Sequence, residues 1–310
     1  MDSLSSELKC VRHERPNRLR QQLYRRAVLI ALLGNVLLAA GKGAVAWISE
    51  SSAVISDAAN SLSDVLYSLL LAAGLYVAQQ PADEGHPQGH GRFEPLVSVL
   101  ISLAMAGAGV AAITEGVRRF RTGAVAIVSP WPTVVLLASA AVKVLMYVLV
   151  RDVGLKAASP AIRASARDNL GDVLASLAAL VGVAGSRFVH PLLDPAAGVL
   201  VALWIFRSAW EILCENLGYL TGRGASPEVT AEVFEAACSV PGVLGVHQVI
   251  ADHVGPKLRV DMHIDVDGEI TLREAHLIAD QVEGEVGALS RVGLVFVHVE
   301  PVDQDSLRET

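Results

Sequence analysis

Ser52-Ala53-Val54-Ile55-Ser56-Asp57-Ala58-Ala59-Asn60-Ser61-Leu62-Ser63-Asp64 is the stretch on which the fold of this chain turns. It opens a segment, about 53–78, that is long enough to cross roughly 30 Å of hydrocarbon as a helix. Yet Asp57, Asn60 and Asp64 lie inside that segment. A second stretch, Arg163-Ala164-Ser165-Ala166-Arg167-Asp168-Asn169-Leu170-Gly171-Asp172, raises the same difficulty inside 162–185. Residues four apart on a helix share a face, one turn apart. Asn60/Asp64 and Asp168/Asp172 are therefore two matching pairs of oxygen-bearing side chains. A carboxylate at the bilayer centre costs at least ~2.5–3.5 kcal/mol on insertion scales, so three of them call for a partner. One divalent cation shared by two facing helices supplies it. Helix-gluing polar contacts are the plainer alternative and suffice for a lone Asn or Asp; two matching pairs favour a binding site. Asp57, a turn from Asn60 on the outer side, is an accessory candidate, equally suited to orienting a helix. Lys42 in the first apolar run reads as a snorkelling or pairing lysine.

The rest of the chain fits a membrane setting. Of 310 residues, 52% are hydrophobic and 18% charged, too apolar for an ordinary soluble enzyme. Spans are expected at about 27–48, 53–78, 95–117, 132–150, 162–185 and 192–214, after a polar segment 1–26. Arg207 and Glu211, near the end of the sixth, are placed to reach the interface. No cleavable leader is expected, because no small-residue cleavage pattern follows the first apolar run. Lys and Arg in the short flanks favour a cytoplasmic N-terminus and C-terminus in a cell (inner) membrane, with the Arg118–Arg121 cluster alone dissenting. The net charge of −7 leaves no basic face for nucleic acid. Cys10, Cys214 and Cys238 have neither disulfide nor metal-site spacing.

From Gly224 the composition becomes that of a soluble domain. The pattern predicts a helix over 228–239, strands over 243–252 and 258–266 joined at Gly255-Pro256, a helix over 271–288 and a strand over 293–300. Arg259, Asp261, His263 and Asp265 alternate with Val260, Met262, Ile264 and Val266, as in a half-buried strand. The expected fold class is thus a membrane all-α domain of six transmembrane helices, spanning 27–222, plus a small cytoplasmic α+β domain (223–302, order αββαβ) and a tail, 303–310.

One amide and three carboxylates are hard oxygen donors, which suit Mg, Ca or Mn, whereas zinc prefers nitrogen or sulfur. Among hard-ligand metals with a reason to be exported, Mn²⁺ leads. Between spans two and three lie Asp83, His86 and His90. A His pair at i, i+4 beside a carboxylate can ligate a metal; the plainer reading is a polar loop of turn-forming residues.

These motifs, together with the loop Pro81-Ala82-Asp83-Glu84-Gly85-His86-Pro87-Gln88-Gly89-His90-Gly91-Arg92, resemble the cation diffusion facilitators along nearly the whole chain. The resemblance implies a homodimer that exchanges cytoplasmic metal for protons by alternating access, with a metallochaperone-like C-terminal domain. Zinc members usually carry His/Asp pairs, or an Asp in place of the first His, on these two helices; here the first position is Asn60 on one and Asp168 on the other, a departure that resembles the manganese-exporting branch. It further implies that Asp83, His86 and His90 match a loop metal site of some members, and that His247, His263, His276, His298 and Glu300 fall at the family's dimer-interface metal site. Asp252-His253 is a weaker candidate. Where relatives have an Asp after span six to pair with a cation at the Arg92 position, this chain reads Tyr219-Leu220-Thr221-Gly222.

The expected function is therefore a Mn²⁺/H⁺ antiporter without a catalytic cofactor, with Zn²⁺, Fe²⁺, Co²⁺ or Cd²⁺ export as the alternative within the family. A membrane-anchored metal sensor is the alternative of another class, but an anchor has no use for three carboxylates in lipid. No HExxH or GxSxG places a nucleophile beside a base, so an enzyme is not expected.

Overall fold

Inside hydrocarbon only a helix or a closed barrel satisfies every backbone N–H and C=O without water. A computed structural model, describing residues 18–49, 52–122, 130–188 and 193–302, has six long helices: α1 (Arg18–Ser49), α2 (Ser52–Ala78), α3 (Phe93–Thr122), α4 (Pro130–Lys156), α5 (Pro160–Phe188) and α6 (Leu193–Leu220). They outrun the apolar windows. α1 begins at Arg18, inside the segment 1–26 expected to precede the first span, and α6 continues to Leu220 rather than ending near 214. A helix need not stop where apolar residues do, because Arg, Gln and Glu are themselves good helix formers.

Among the described residues, four stretches are long and apolar enough to cross a membrane: Arg18–Val45, Ser61–Ala78, Phe93–Thr114 and Ala196–Leu220. α4 and α5 match them in length, although α5 carries Arg163, Arg167, Asp168 and Asp172 in its first half. Leu33, Leu37, Leu66, Leu145, Leu200 and Trp210 are all well exposed. Such a surface suits lipid and would aggregate in water. This is a membrane protein.

In the helical unit, Met1–Leu217, α1 packs on α2 and α4, α4 on α5, and α3 on α2 and α5. Tyr24, Ala27 and Ala31 of α1 share a core with Leu71 and Leu75 of α2, Ile101 of α3 and Val150 of α4. Gly34 lets α1 approach α4 closely, since a Cβ there would collide with Met146 Sδ. At the end bearing the α2–α3 loop, fully buried Glu94 accepts from Tyr24 Oη at 2.5 Å and pairs with Arg20 at 3.2 Å.

The α4–α5 connection is short. Ser159 Oγ accepts from Ile162 N at 3.2 Å, and Pro160 takes the first helical position, where its missing N–H is no loss. Lys143 and Asp172 therefore sit at equal depth on the two arms of this hairpin, about 20 Å from the turn at 1.5 Å per residue. Asp64 lies at similar depth from the end of α2.

The second unit, Gly218–Thr310, has the order α7 (Pro227–Cys238), β1 (Gly245–Val254), β2 (Lys257–Asp267), α8 (Leu272–Ala288), β3 (Val292–Val302). β1 and β2 are antiparallel, and β2 and β3 parallel. Gly255 has φ +68 at the first position of the two-residue hairpin loop, as a type II′ turn requires. The parallel pair needs a crossover, and α8 provides it; Thr271 and Glu274 form a reciprocal capping box at its start. β2 alternates strictly between buried and half-buried positions. Its inward residues, Val260, Met262, Ile264 and Val266, pack with Val233 of α7 and Val282 and Val286 of α8. The five elements thus match the expected α+β order.

Met262 is 1% exposed in this core. Met262→Ala is expected to destabilise the unit by about 2–5 kcal/mol, read in the full-length chain as a lower denaturant midpoint for loss of its protease resistance.

Candidate metal centre

The carboxylates singled out from the sequence do converge. Asp64 from α2 and Asp168 and Asp172 from α5 each offer an oxygen, all within 4.8 Å of one another. Asp64 is 8% exposed. Its backbone is pinned by α1: Asn35 Nδ2 donates to the Asp64 carbonyl at 3.3 Å and to Ser68 Oγ at 2.8 Å, while Ser68 Oγ donates to the same carbonyl at 2.9 Å. Asp168 and Asp172 sit a turn apart, as their spacing dictates. Asn60 and Asp57 belong to α2, and their side chains lie outside the described residues. Lys42 is buried on α1.

One participant was not singled out from the sequence. Lys143 of α4, 4% exposed, places Nζ 2.8 Å from Asp64 Oδ2 and 2.6 Å from Asp172 Oδ2. Its signal was present, because Lys143 is the one charged residue between Pro130 and Val150. A lone ionisable group within an apolar span is a functional candidate by default. Chemically, three carboxyl groups side by side make an oxygen-rich pocket suited to a hard divalent cation, and with all three ionised they outweigh the one ammonium.

The loop residues also meet. Asp83 Oδ1 accepts from His86 N at 2.6 Å and lies 3.5 Å from His86 Nδ1; Asp83 Oδ2 is 3.4 Å from His90 Nε2. Gly89, at φ +88, lets the chain turn between the two histidines. His90 Nδ1 is 3.0 Å from the Pro81 carbonyl. A carbonyl only accepts, so Nδ1 donates to it, which fixes the ring with Nε2 on the Asp83 side. The hydrogen bond from His86 N–H, then the nearby imidazoles, hold the Asp83 carboxyl below the usual carboxylate range. Asp83, His86 and His90 can hold a metal ion.

In the C-terminal unit, His263, Asp265, His298 and Glu300 share the sheet face away from the helices, His263 opposite His298 and Asp265 opposite Glu300. His247 joins them through a bulge. The β1 register shifts between Val246, opposite Ile264, and Gln248, opposite His263; the extra residue re-aims its side chain, as bulges do. His263 Nδ1 is 2.8 Å and His247 Nε2 3.6 Å from Glu300 Oε1, and His247 Nδ1 is 3.1 Å from Asp265 Oδ1. His298 Nε2 stands 3.8 Å from Glu300 Oε1. His247, His263 and Glu300 form the tightest group. His276 is not brought to it: exposed on α8, it faces Asp280 a turn away at 3.7 Å, because α8 packs on the other face of the sheet. Asp265, not singled out from the sequence, lies beside the group through its contact with His247. Of the weaker pair, Asp252 bridges Gly224 and His253 packs on Tyr219 with ring centroids 4.5 Å apart.

Comparison with known proteins brings these observations together. The cation efflux transmembrane domain matches residues 28–221, and the cytoplasmic domain of cation efflux proteins matches residues 225–302. An uncharacterised transporter of Methanocaldococcus jannaschii is 36% identical, covering 89% of this chain and 98% of its own. The manganese efflux system protein MneP of Bacillus subtilis is 29% identical over 91% of this chain and 97% of its own. The magnetosome protein MamM of Paramagnetospirillum magneticum is 30% identical over 87% and 86%. Among solved structures, a nickel form of the MamM C-terminal domain is 35% identical, covering 25% of this chain and all of that one, with a TM-score of 0.25.

The Glu300 carboxyl is held below its ordinary range, first by the hydrogen bond from His263 and then by the charges of His247, His263 and His298. A depressed carboxyl stabilises the fold above the ordinary carboxylate pKa, and that contribution fades as pH falls through its own lowered value. His263→Ala is expected to move the Glu300 titration upward, toward the usual range, measured by carboxyl NMR chemical shift against pH.

Proposed function

This chain belongs to the cation efflux family, the cation diffusion facilitators, and on that premise we propose that it exports Mn²⁺ from the cytoplasm in exchange for protons. As a member it is a metal exporter and not an enzyme; the metal and the counter-ion are our reading. The observation that carries it is the convergence of Asp64, Asp168 and Asp172 oxygens from two helices within 4.8 Å. Hard oxygen donors without imidazole favour Mn²⁺ over Zn²⁺, and Asn60, one helical turn before Asp64, adds a fourth oxygen ligand in this reading. That a full-length relative is named a manganese efflux protein supports the same metal.

Proton coupling follows from competition. Clustered carboxylates in a low-dielectric interior repel one another and bind either protons or metal, so loading one expels the other. With six spans and both termini cytoplasmic, as the Lys and Arg distribution favours, the site about 20 Å from the α4–α5 turn lies near mid-membrane, where alternating access needs it. The C-terminal domain serves a homodimer, and its cluster of His247, His263 and Glu300, with His298 beside it, senses cytoplasmic metal. Asp83, His86 and His90 take a further ion at the cytoplasmic entrance.

Two transport measurements test this. In proteoliposomes with an imposed pH gradient, Asp64→Ala and Asp172→Ala are each expected to lower Mn²⁺ accumulation at least about 100-fold, the scale on which losing a charged ligand acts; wild-type rates in either would refute the site. In a competition assay, Asn60→His/Asp168→His is expected to gain Zn²⁺ transport at the expense of Mn²⁺, and no gain would sink the ligand-type argument.

A further inference from the structure

Lys143 is the one member of the central cluster that binds no metal, and its position constrains how metal enters. Its ammonium lies 2.8 Å from Asp64 Oδ2 and 2.6 Å from Asp172 Oδ2. Both residues are ligands in the reading above, on which this inference rests. A lysine that merely glued helices together needs one acceptor. Lys143 instead spans carboxylates of two different helices, from a third, at 4% exposure. It occupies the oxygens a metal ion would coordinate, and both are cations seeking the same lone pairs.

We propose that Lys143 is a tethered competitor for the transport site: its ammonium holds Asp64 and Asp172 together until a divalent cation displaces it, and reclaims them when the metal departs. Being covalently attached, it acts at a high effective concentration that no free monovalent ion matches. A divalent ion, with twice the charge, can displace it. Lys143 thereby sets a threshold that favours divalent over monovalent cargo. It also keeps the metal-free carrier from stranding buried carboxylates without a counter-charge, the situation that makes loss of one ion-pair partner so destabilising. Metal is held less tightly as a result, and let go faster.

The test is Mn²⁺ binding and transport by full-length wild type, Lys143→Met and Lys143→Arg at mildly alkaline pH, where protons compete least for the carboxylates. Binding that survives in Asp64→Ala is subtracted as belonging to other sites. With the competitor removed, Lys143→Met is expected to bind Mn²⁺ about tenfold more tightly, a modest fraction of what a close charge contact can contribute. In transport its KM falls and its kcat falls with it, because release slows. Lys143→Arg keeps a tethered cation and is expected to return the Kd to within about threefold of wild type. Unchanged or weaker Mn²⁺ binding by Lys143→Met, against a wild type that binds, overturns the inference and leaves the transport reading standing. A wild type whose Mn²⁺ binding is no greater than that of Asp64→Ala sinks both. Should Lys143→Met be unstable, it is purified with and without Mn²⁺. Folding only with Mn²⁺ supports the inference, since the metal then supplies the missing counter-charge; failure in both conditions overturns it.

Discussion

Three carboxylates lie together in the interior of an apolar helical bundle, and much else in the molecule answers to that. Carboxylates this close repel one another, and a low dielectric magnifies the repulsion. Something positive must therefore be drawn in, whether ammonium, proton or metal. α4 contributes Lys143, α1 contributes Asn35 to hold the Asp64 backbone, and α2 and α5 supply the acids themselves. Four of the six helices are thus committed to one cluster. Gly34, next to Asn35, lets α1 close on α4 beside it.

What could be read directly from the sequence were the features written locally. The i, i+4 pairs on α2 and α5 are such a feature, because helical geometry alone puts them on one face. So is the alternation from Arg259 to Val266, which the burial along β2 reproduces residue by residue. Lys143 could be flagged but not placed: its partner Asp64 is 79 residues away, and no periodicity reports a pairing between helices. The bulge that carries His247 beside His263 is invisible for a related reason. One added residue changes the face of a side chain without changing composition or the apolar count. His276 shows the converse. It shares the chemistry of the other histidines, yet α8 covers the opposite face of the sheet and leaves it with Asp280.

The two histidine clusters share a design despite lying in different units. In each, one imidazole is oriented by an oxygen acceptor on Nδ1, the Pro81 carbonyl for His90 and Glu300 for His263. Each also contains a carboxylate held in its charged form by the donors around it. Fixing the ring through one nitrogen leaves the other available, which is how second partners prepare imidazole for ligation.

The short α4–α5 hairpin bears on how such a chain enters a membrane at all. Taken alone, α5 is a poor candidate for lipid, with Arg163, Arg167, Asp168 and Asp172 in its first half. Its neighbour α4 is emerging from the ribosome just ahead of it, and the turn capped by Ser159 and Pro160 sets the two side by side. Lys143 and Asp172 then meet as arms of one hairpin, and a matched pair is far less costly to transfer into lipid than either charge by itself. The contact that closes the carboxylate cluster in the folded protein thus also lowers the cost of placing α5 in the bilayer.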